Sequence, residues 1–445
     1  MYDPMVDAVI PVKQHYPSSY WAAHTALPSS KSNALTTDIS TDVVIIGAGY
    51  TGLSCASELA DTFGREVTVL EANQSAWGCS GRNAGFVLRG TGRLGLAQLA
   101  QRYGSDIAQQ FHLEYGAALE RVQQMIAAGD IDCQAQASGY LKVAHNATLG
   151  KQLPQQAEFL QRQFGYQVEY LSPPALQQRY MQNAHAFGAI RFPDCFGVNP
   201  LALAQGYAGL AEKQGATIYT GSAALHWQRN SKGFVVQTPQ ATVQCRQIIL
   251  ATNAYTAKQF YAPLNRASLP VLSSIIVTAP LNAAQLAETG LNHTQLVMDT
   301  RALKYYYRKL PDNRLLFGGR SAVHGKDADK ACYPARLLSA LQQCFPALRQ
   351  LPLAYHWSGW VSVSFDDMPR LWQSEPGLFY AAGYCGSGVS FSSLAGKRLA
   401  QLASGVALPP LPIYQSGLTP FPLPQFRRLG QQAYYQWGRF KDRFL

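Results

Sequence analysis

The stretch Asp42-Val43-Val44-Ile45-Ile46-Gly47-Ala48-Gly49-Tyr50-Thr51-Gly52 decides the fold. Four consecutive β-branched residues read as a short strand buried on both faces. The Gly-x-Gly-x-x-Gly run that follows opens a helix over 51–63, with Leu53, Ala56 and Leu59 on one side. Gly47 permits the tight turn, Gly49 lets a pyrophosphate approach the backbone, and Gly52 lets the helix lie against the strand. The amino end of that helix favours negative charge. A second strand, Val67-Thr68-Val69-Leu70, ends at Glu71, whose carboxylate can accept hydrogen bonds from a ribose. Strand, glycine turn, helix, strand and acidic terminus together specify a dinucleotide-binding unit.

Before this unit, residues 1–40 read as an extended surface arm that its aromatics could anchor, with Pro17-Ser18-Ser19-Tyr20-Trp21 and a polar run from Pro28 to Thr41. Just after it comes Trp77-Gly78-Cys79-Ser80-Gly81-Arg82-Asn83-Ala84-Gly85-Phe86, where a nicotinamide enzyme would run into its next crossover helix. A loop of small residues can press its backbone against a flat ring system while Ser80 and Arg82 meet phosphate or carbonyl oxygens. Residues 96–185 carry helical spacing at Leu96, Leu99, Ile107, Phe111, Tyr115 and Leu119 and no nucleotide motif. Strand character returns at 217–219, 234–236 and 247–250, ahead of Ala251-Thr252-Asn253-Ala254-Tyr255. Strands at 274–277, 305–308 and 314–317 predict a mainly antiparallel substrate sheet. Phe379-Tyr380-Ala381-Ala382 then runs into Gly383-Tyr384-Cys385-Gly386-Ser387-Gly388-Val389 and a helix over 391–403, a second glycine-rich junction whose dipole could stabilise charge on a reduced ring.

At 445 residues, 47% hydrophobic and 14% charged, the chain has room for two or three cores and little room for disorder. The expected division is an arm over 1–40, a cofactor-binding domain over 41–95, 186–262 and 356–445, and a substrate or helical domain over 96–185 and 263–355. A formal charge of +11 fits an acidic substrate as well as nucleic acid or anionic lipid. The basic residues are scattered, so nucleic acid is not the expected partner. The eight cysteines show no C-x-x-C pair, which predicts reduced thiols and no metal site. No signal peptide or membrane span is expected, so the cytoplasm is the default location. Phe426, Leu429, Ala433, Trp437 and Phe440 fall on one face of a basic C-terminal helix that is expected to pack on its own domain, with peripheral membrane contact left open.

In these motifs the chain resembles the D-amino acid oxidase (DAO) superfamily of flavoenzymes, and within it the γ-glutamylputrescine oxidoreductase-like branch. The resemblance covers Ser19-Tyr20-Trp21, 42–52, Glu71, the Gly-x-Ser-Gly-Arg-Asn-x-Gly run at 78–85, 251–255, 314–319, Trp357-x-Gly359 with Asp366-x-x-Pro369, and 382–396. It implies a mixed α/β (α+β) protein with a Rossmann-like FAD-binding domain and a discontinuous antiparallel-sheet substrate domain of the glutathione reductase/DAO type. By the same resemblance Gly47, Ala48, Gly49, Thr51, Gly52 and Glu71 would bind the ADP half of FAD. Ser80, Arg82, Asn83, Ala84 and Gly85 would lie along the flavin, Ala224, on a strand after Gly221, would touch the adenine end, and Gly383, Gly386, Gly388 and Val389 would meet the ring. Ala84 stands where that branch more often has glycine. Gly359 stands where monomeric sarcosine oxidases carry their flavin-linking cysteine, which implies non-covalent FAD.

The resemblance further implies oxidation of a primary or secondary amine, one that also bears a carboxylate, by hydride transfer to flavin, hydrolysis of the imine, and reoxidation by O2 to give H2O2. Arg82, Tyr305, Tyr307 and Arg308 are the substrate-side candidates, because alternate tyrosines on a strand share a face and arginine can hold a carboxylate through two bonds. A tyrosine-rich strand is also ordinary sheet packing, and Arg308 is equally readable as a surface residue. Trp357, Trp360 and Phe365 could wall the pocket, and His356 reads as structural. Competing readings are a dehydrogenase that passes electrons to a quinone or carrier protein, an RNA-associated protein, and a flavin-binding protein without turnover. Neither the oligomeric state nor an oxygen-activating lysine is legible.

Overall fold

The strand Ile39–Ile46 lies between Val67–Leu70 and Thr242–Leu250, parallel to both, in the computed structural model, which describes residues 1–27, 33–136 and 139–444. Leu378–Ala382 and Thr217–Tyr219 extend this sheet in parallel, Arg370–Glu375 adds an antiparallel edge, and the hairpin His226–Asn230 with Gly233–Gln237 branches from Thr242–Leu250. Six of the eight positions of Ile39–Ile46 are buried, as expected of a strand covered on both faces. The helix Tyr50–Asp61 covers one face, and Val389–Ala403 packs across it. At their crossing a Cβ on Gly396 would stand 2.7 Å from the Cys55 amide nitrogen, and Ser54 Oγ donates to the Ser393 carbonyl at 2.7 Å. Glycine and serine bring the two helices into backbone contact, so both begin side by side.

A second sheet runs in the order Leu353–Ser364, Ser268–Thr278, Leu315–Arg320, Tyr306–Lys309, Leu296–Asp299, Tyr140–Val143, Ala189–Phe192, Glu169–Leu171. Its neighbours are antiparallel except Leu296–Asp299 with Tyr140–Val143. Cys332–Cys344 packs Leu337 and Leu341 on it, against Tyr307 and Phe317. The segment 96–185 holds the helices Leu96–Tyr103 and Ser105–Gly129, as its spacing predicts, and also the strands Tyr140–Val143 and Glu169–Leu171. The expected divisions at 186 and 356 do not follow the sheets. Ala189–Phe192 belongs to the second sheet, and 356 falls inside Leu353–Ser364, which pairs along its length with Ser268–Thr278. Strand alternation reads the same in either sheet, and only the hydrogen-bonded partner tells them apart.

Both chain ends are held to the body of the protein, each in a way the sequence does not spell out. The arm does not merely lie on the surface: Tyr2, Asp3, Tyr20, Trp21 and Leu35 are buried, and Trp360 Nε1 donates to the Tyr2 carbonyl at 2.7 Å. Residues 28–32 of its polar run lie outside the described residues. The C-terminal helix Arg427–Phe444 does pack on the protein, but through its polar side, while Phe426, Leu429, Trp437, Phe440 and Phe444 face outward. Among the described residues no helix is long and apolar enough to cross a membrane.

Candidate functional site

The glycine turn after Ile39–Ile46 behaves as its spacing requires. Gly47 has φ +109°, and its amide donates to the Leu70 carbonyl at 2.9 Å, which closes the turn. A Cβ on Gly52 would overlap the Gly47 carbonyl oxygen, so only glycine lets the helix sit so close to the strand. Gly49 caps the helix with no side-chain hydrogen bond of its own, and Ser80 Oγ accepts from the Tyr50 amide at 3.0 Å. The first turn of the helix therefore presents backbone amides and the positive end of its dipole to whatever lies beside Ser80. Val389–Ala403 opens at Gly388 onto the same place, and Thr51 Oγ1 and Tyr384 Oη stand 2.8 Å apart between the two helix starts.

What lies there is one cavity of about 1350 Å³ including its solvent-facing mouth. Its wall runs from Ala223, Ala224 and Leu225 past Glu71, Gly47 and Gly49 to Ser80 and Asn83, and on to Gly386, Gly388 and Val389. A wall that reaches from Ala224 past the glycine turn to Gly386 and Val389 suits a long ligand. Glu71 stands midway, its Oε2 accepting from the Ala48 amide at 2.9 Å and Oε1 from the Asn73 amide at 3.0 Å. Burial raises its pKa against the pull of those amides. Ala224 lines the cavity from the connection between Thr217–Tyr219 and His226–Asn230, not from a strand. Ala8, Val9 and Ile10 of the arm, together with Thr252 to Ala257 and Phe260, complete the wall. Those arm residues carried no sequence signal, because a wall built from an irregular segment has no periodicity. Gly383, with φ +88°, does not line the cavity; its amide donates to Asn253 Oδ1 at 3.1 Å and shapes the turn that delivers Gly386.

The Gly-Arg-Asn loop is held from within. Asn83 Nδ2 donates to the carbonyls of Cys79 (3.1 Å) and Ser80 (2.8 Å), and its Oδ1 accepts from the Gly85 amide at 2.8 Å. Gly85, with φ +71°, lies against the Val198 carbonyl, where a side chain would collide. Arg82 is buried: Nε donates to the Trp77 carbonyl at 2.8 Å, Nη1 to Ser358 at 3.3 Å, and the guanidinium stacks over the Trp77 ring at 4.5 Å. Trp357 Nε1 in turn donates to the Arg82 carbonyl at 2.8 Å. Arg82 thus straps the loop to the second sheet and touches the second cavity with part of its surface.

That second cavity meets the first at Cys79, Asn83, Val361, Gly386 and Val389. Its cations are Arg82, Arg93, Lys304 and Arg320, its polar groups include Tyr306 and Ser273, and its apolar wall includes Phe86, Ile275, Met298 and Val361, with no acidic side chain among the lining residues. The candidate tyrosines were one residue out of register. Tyr305 and Tyr307 do share a face, but it is the one against Cys332–Cys344: Tyr307 is buried beside Phe317 and Phe345, and its hydroxyl accepts from Asn183 Nδ2 at 2.7 Å. Tyr306 points the other way, into the cavity, its hydroxyl 2.8 Å from Ser273 Oγ, and burial pushes its pKa up to about 12.

Arg308 is neither a cavity residue nor a surface one. It is buried, stacked 5.3 Å from the Trp21 ring, and donates to the Val198 carbonyl at 2.5 Å and Gln136 Oε1 at 3.2 Å. Burial lowers its pKa to about 9. Trp357, Trp360 and Phe365 do not wall the cavity either: the first two are engaged with Arg82 and Tyr2, the third is half exposed against Phe421, and Gly359 and Val361 form the wall. His356 lines neither cavity. Lys304 and Arg320 escaped the sequence reading because nothing local marks them. Removal from water and repulsion by Lys142, Arg93 and Arg320 lower the Lys304 pKa to about 8.

Two helix starts facing one long cavity that opens onto a cation-lined pocket suit an oxidoreductase that holds a dinucleotide. The chain belongs to the DAO family of FAD-dependent oxidoreductases, which it matches over residues 42–402. It is similar to γ-glutamylputrescine oxidoreductase of Escherichia coli (strain K12), with 31% identity over 88% of this chain and 89% of that one. It is also similar to glycine oxidase of Geobacillus kaustophilus (strain HTA426), at 26% identity over 81% of this chain and 92% of that one. In fold it matches the crystal structures of that glycine oxidase (TM-score 0.68, 24% identity, 83% of this chain and 96% of that one) and of L-proline dehydrogenase from P. horikoshii (TM-score 0.68, 19% identity, 84% and 96%). The first cavity fits FAD: its length, two helix starts, the side-chain-free approach at Gly49 and a carboxylate in the ribose position meet the ligand's separate parts.

Proposed function

We propose that this chain oxidises an amine that also carries a carboxylate, such as γ-glutamylputrescine or an amino acid, with O2 as electron acceptor and H2O2 as by-product. The observation that carries the reading is the cation-lined, acid-free second cavity joined to the elongated one beside the two helix starts. Arg320 and Lys304 hold the carboxylate, and Tyr306, protonated at neutral pH and braced by Ser273, donates a hydrogen bond to the substrate. The same cations disfavour an ammonium group, so the substrate amine is held neutral without a dedicated base. Phe86, Ile275, Met298 and Val361 keep water from the reacting carbon. FAD, when bound, supplies the hydride acceptor.

In this reading the amides at the Tyr50–Asp61 helix start and Ser80 hold the phosphates, Glu71 the ribose, Ala224 the adenine end, and Asn83, Ala84, Gly386 and Val389 flank the ring. Attachment is non-covalent: Gly359 offers no thiol, and burial keeps the Cys385 and Cys79 thiols protonated, with pKa values near 11. Eight unpaired cysteines support a reducing, cytoplasmic setting. The exposed apolar side of the C-terminal helix favours a second reading, transfer of electrons to a membrane quinone.

The test is anaerobic bleaching of the flavin absorbance by γ-glutamylputrescine, putrescine, sarcosine, pipecolate, glycine and D-amino acids, followed by air. Carboxylate-bearing members should bleach it and putrescine should not. Equal bleaching by putrescine would overturn the carboxylate reading. Recolouring in air with peroxide release supports the oxidase, while recolouring only with added quinone supports the second reading.

A further inference from the structure

The helix Arg427–Phe444 is amphipathic, yet it turns its polar side to the protein. Arg427 donates to the carbonyls of Asn265 and Ser268, Arg428 pairs with Asp3, and Asp442 accepts from the amides of Ala302 (2.6 Å) and Leu303 (3.0 Å). Gln431, Tyr435 and Gly438 are buried between them. Outward stand Phe426 (53% exposed), Leu429 (60%), Trp437 (49%), Phe440 (56%) and Phe444 (62%), recurring every three or four residues with Ala433 to form one stripe. At its amino end Phe426 and Leu429 share the lining of an open cleft with Leu423, 65% exposed, and Phe365, 51% exposed. A water-facing apolar band of this size on a helix already fixed by polar bonds is a docking face.

The charge around it identifies the occupant. Arg439, Lys441 and Arg443 are exposed along the same helix, while its one acid, Asp442, is turned inward onto backbone amides. Two copies meeting through this face would bring like charges together on a chain that already carries +11. Anionic lipid headgroups complement it, with aromatic rings and lysine and arginine stems at the depth they favour in the interface.

We propose that the C-terminal helix lies flat on an anionic lipid bilayer and holds the enzyme there as a peripheral protein. Its inward side reaches the candidate substrate cavity: Arg93 Nη2 donates to Tyr434 Oη at 2.6 Å, and Asp442 holds the turn just before Lys304. The membrane-facing helix and the pocket are thus one assembly. Docking of this helix is independent of which amine is oxidised.

The test is flotation of the FAD-loaded full chain with phosphatidylcholine vesicles, with and without phosphatidylglycerol. Binding is expected to the anionic vesicles only and to weaken as salt is raised. Trp437→Ser with Phe440→Ser should lower partitioning on the order of tenfold per side chain, with flavin spectrum and melting temperature unchanged because both residues face solvent. A second variant, Arg439→Glu with Lys441→Glu and Arg443→Glu, should remove the preference for anionic lipid. Absence of flotation with either vesicle overturns the proposal, as does undiminished binding by both variants. A wild-type dimer in gel filtration that the first variant converts to monomer, without flotation, would overturn it in favour of a contact between copies.

Discussion

Replacing Gly52 with alanine tests the backbone logic of the cofactor turn. A Cβ there would overlap the Gly47 carbonyl oxygen and stand 3.2 Å from its carbon and 3.3 Å from the Ala251 Cβ. Two of the three obstacles are backbone, so relief requires the strand end and helix start to separate by roughly an ångström, at a cost near the upper end of the 1–3 kcal/mol typical of overpacking. At about 2.1 cal/mol/K per residue, unfolding entropy over 445 residues makes 1 kcal/mol worth roughly 1 °C. The apoprotein should therefore melt about 3 °C lower. Because the same displacement moves the amides that face the phosphates, the variant should also lose most of its FAD, and with it the about 2.7 kcal/mol that a ligand at a hundred times its Kd adds. Gly209→Ala is the control. It too lies in a helix, Pro200–Lys213, but it is exposed with nothing within 4 Å of its Cβ, so alanine should raise the melting temperature by about 1 °C and leave the flavin in place. Melting curves with and without added FAD, and the ratio of flavin to protein absorbance, read both outcomes. A Gly52→Ala protein that keeps its flavin and melts within a degree of wild type would refute the reasoning.

Lys304→Met should raise KM for a carboxylate-bearing substrate roughly ten- to a hundredfold, the worth of one charged hydrogen bond, with kcat less affected. Deprotonation of the substrate amine affects both proteins alike, so in steady-state kinetics from pH 7 to 9.5 the ratio of variant to wild-type KM should fall as pH passes about 8, where Lys304 loses its charge. Glu71→Gln replaces one acceptor facing the Ala48 and Asn73 amides by a donor, and a fluorescence titration should find FAD binding weakened roughly tenfold. His112 is buried between Phe164 and Tyr166, and burial, with Arg89 adding repulsion, lowers its pKa from 6.5 to about 4. The unfolded chain then binds the proton more readily, so this group's stability is fully present above pH 6.5 and is lost towards pH 4, with a slope of up to about 1.4 kcal/mol per pH unit. Urea melts of His112→Phe at pH 4.5, 5.5 and 7 should show a shallower decline than wild type.

The parts of this protein whose physics is local are legible along the chain. The Gly47, Gly49 and Gly52 turn, Glu71 at a strand end, the Gly-Arg-Asn loop and the glycine junction before Val389 each work through backbone angles, helix starts or close approaches set within a few residues, and the structure brings all four to one cavity. Tertiary structure alone decided which side of a strand or helix meets what. Alternation told that Tyr305 and Tyr307 share a face, and only the Cys332–Cys344 helix packed against them shows that Tyr306 is the one left for the pocket. The same holds for Lys304, in the connection before Tyr306–Lys309, and Arg320, at the end of Leu315–Arg320, for Arg308 sealed beneath Trp21, and for the tail. Its apolar stripe was legible as a stripe, but which side is buried depends on partners such as Asp3, Asn265 and the 302–303 turn, more than a hundred residues away in the chain. Periodicity encodes a helix's two faces, and the long-range contacts that choose between them are written nowhere near the helix itself.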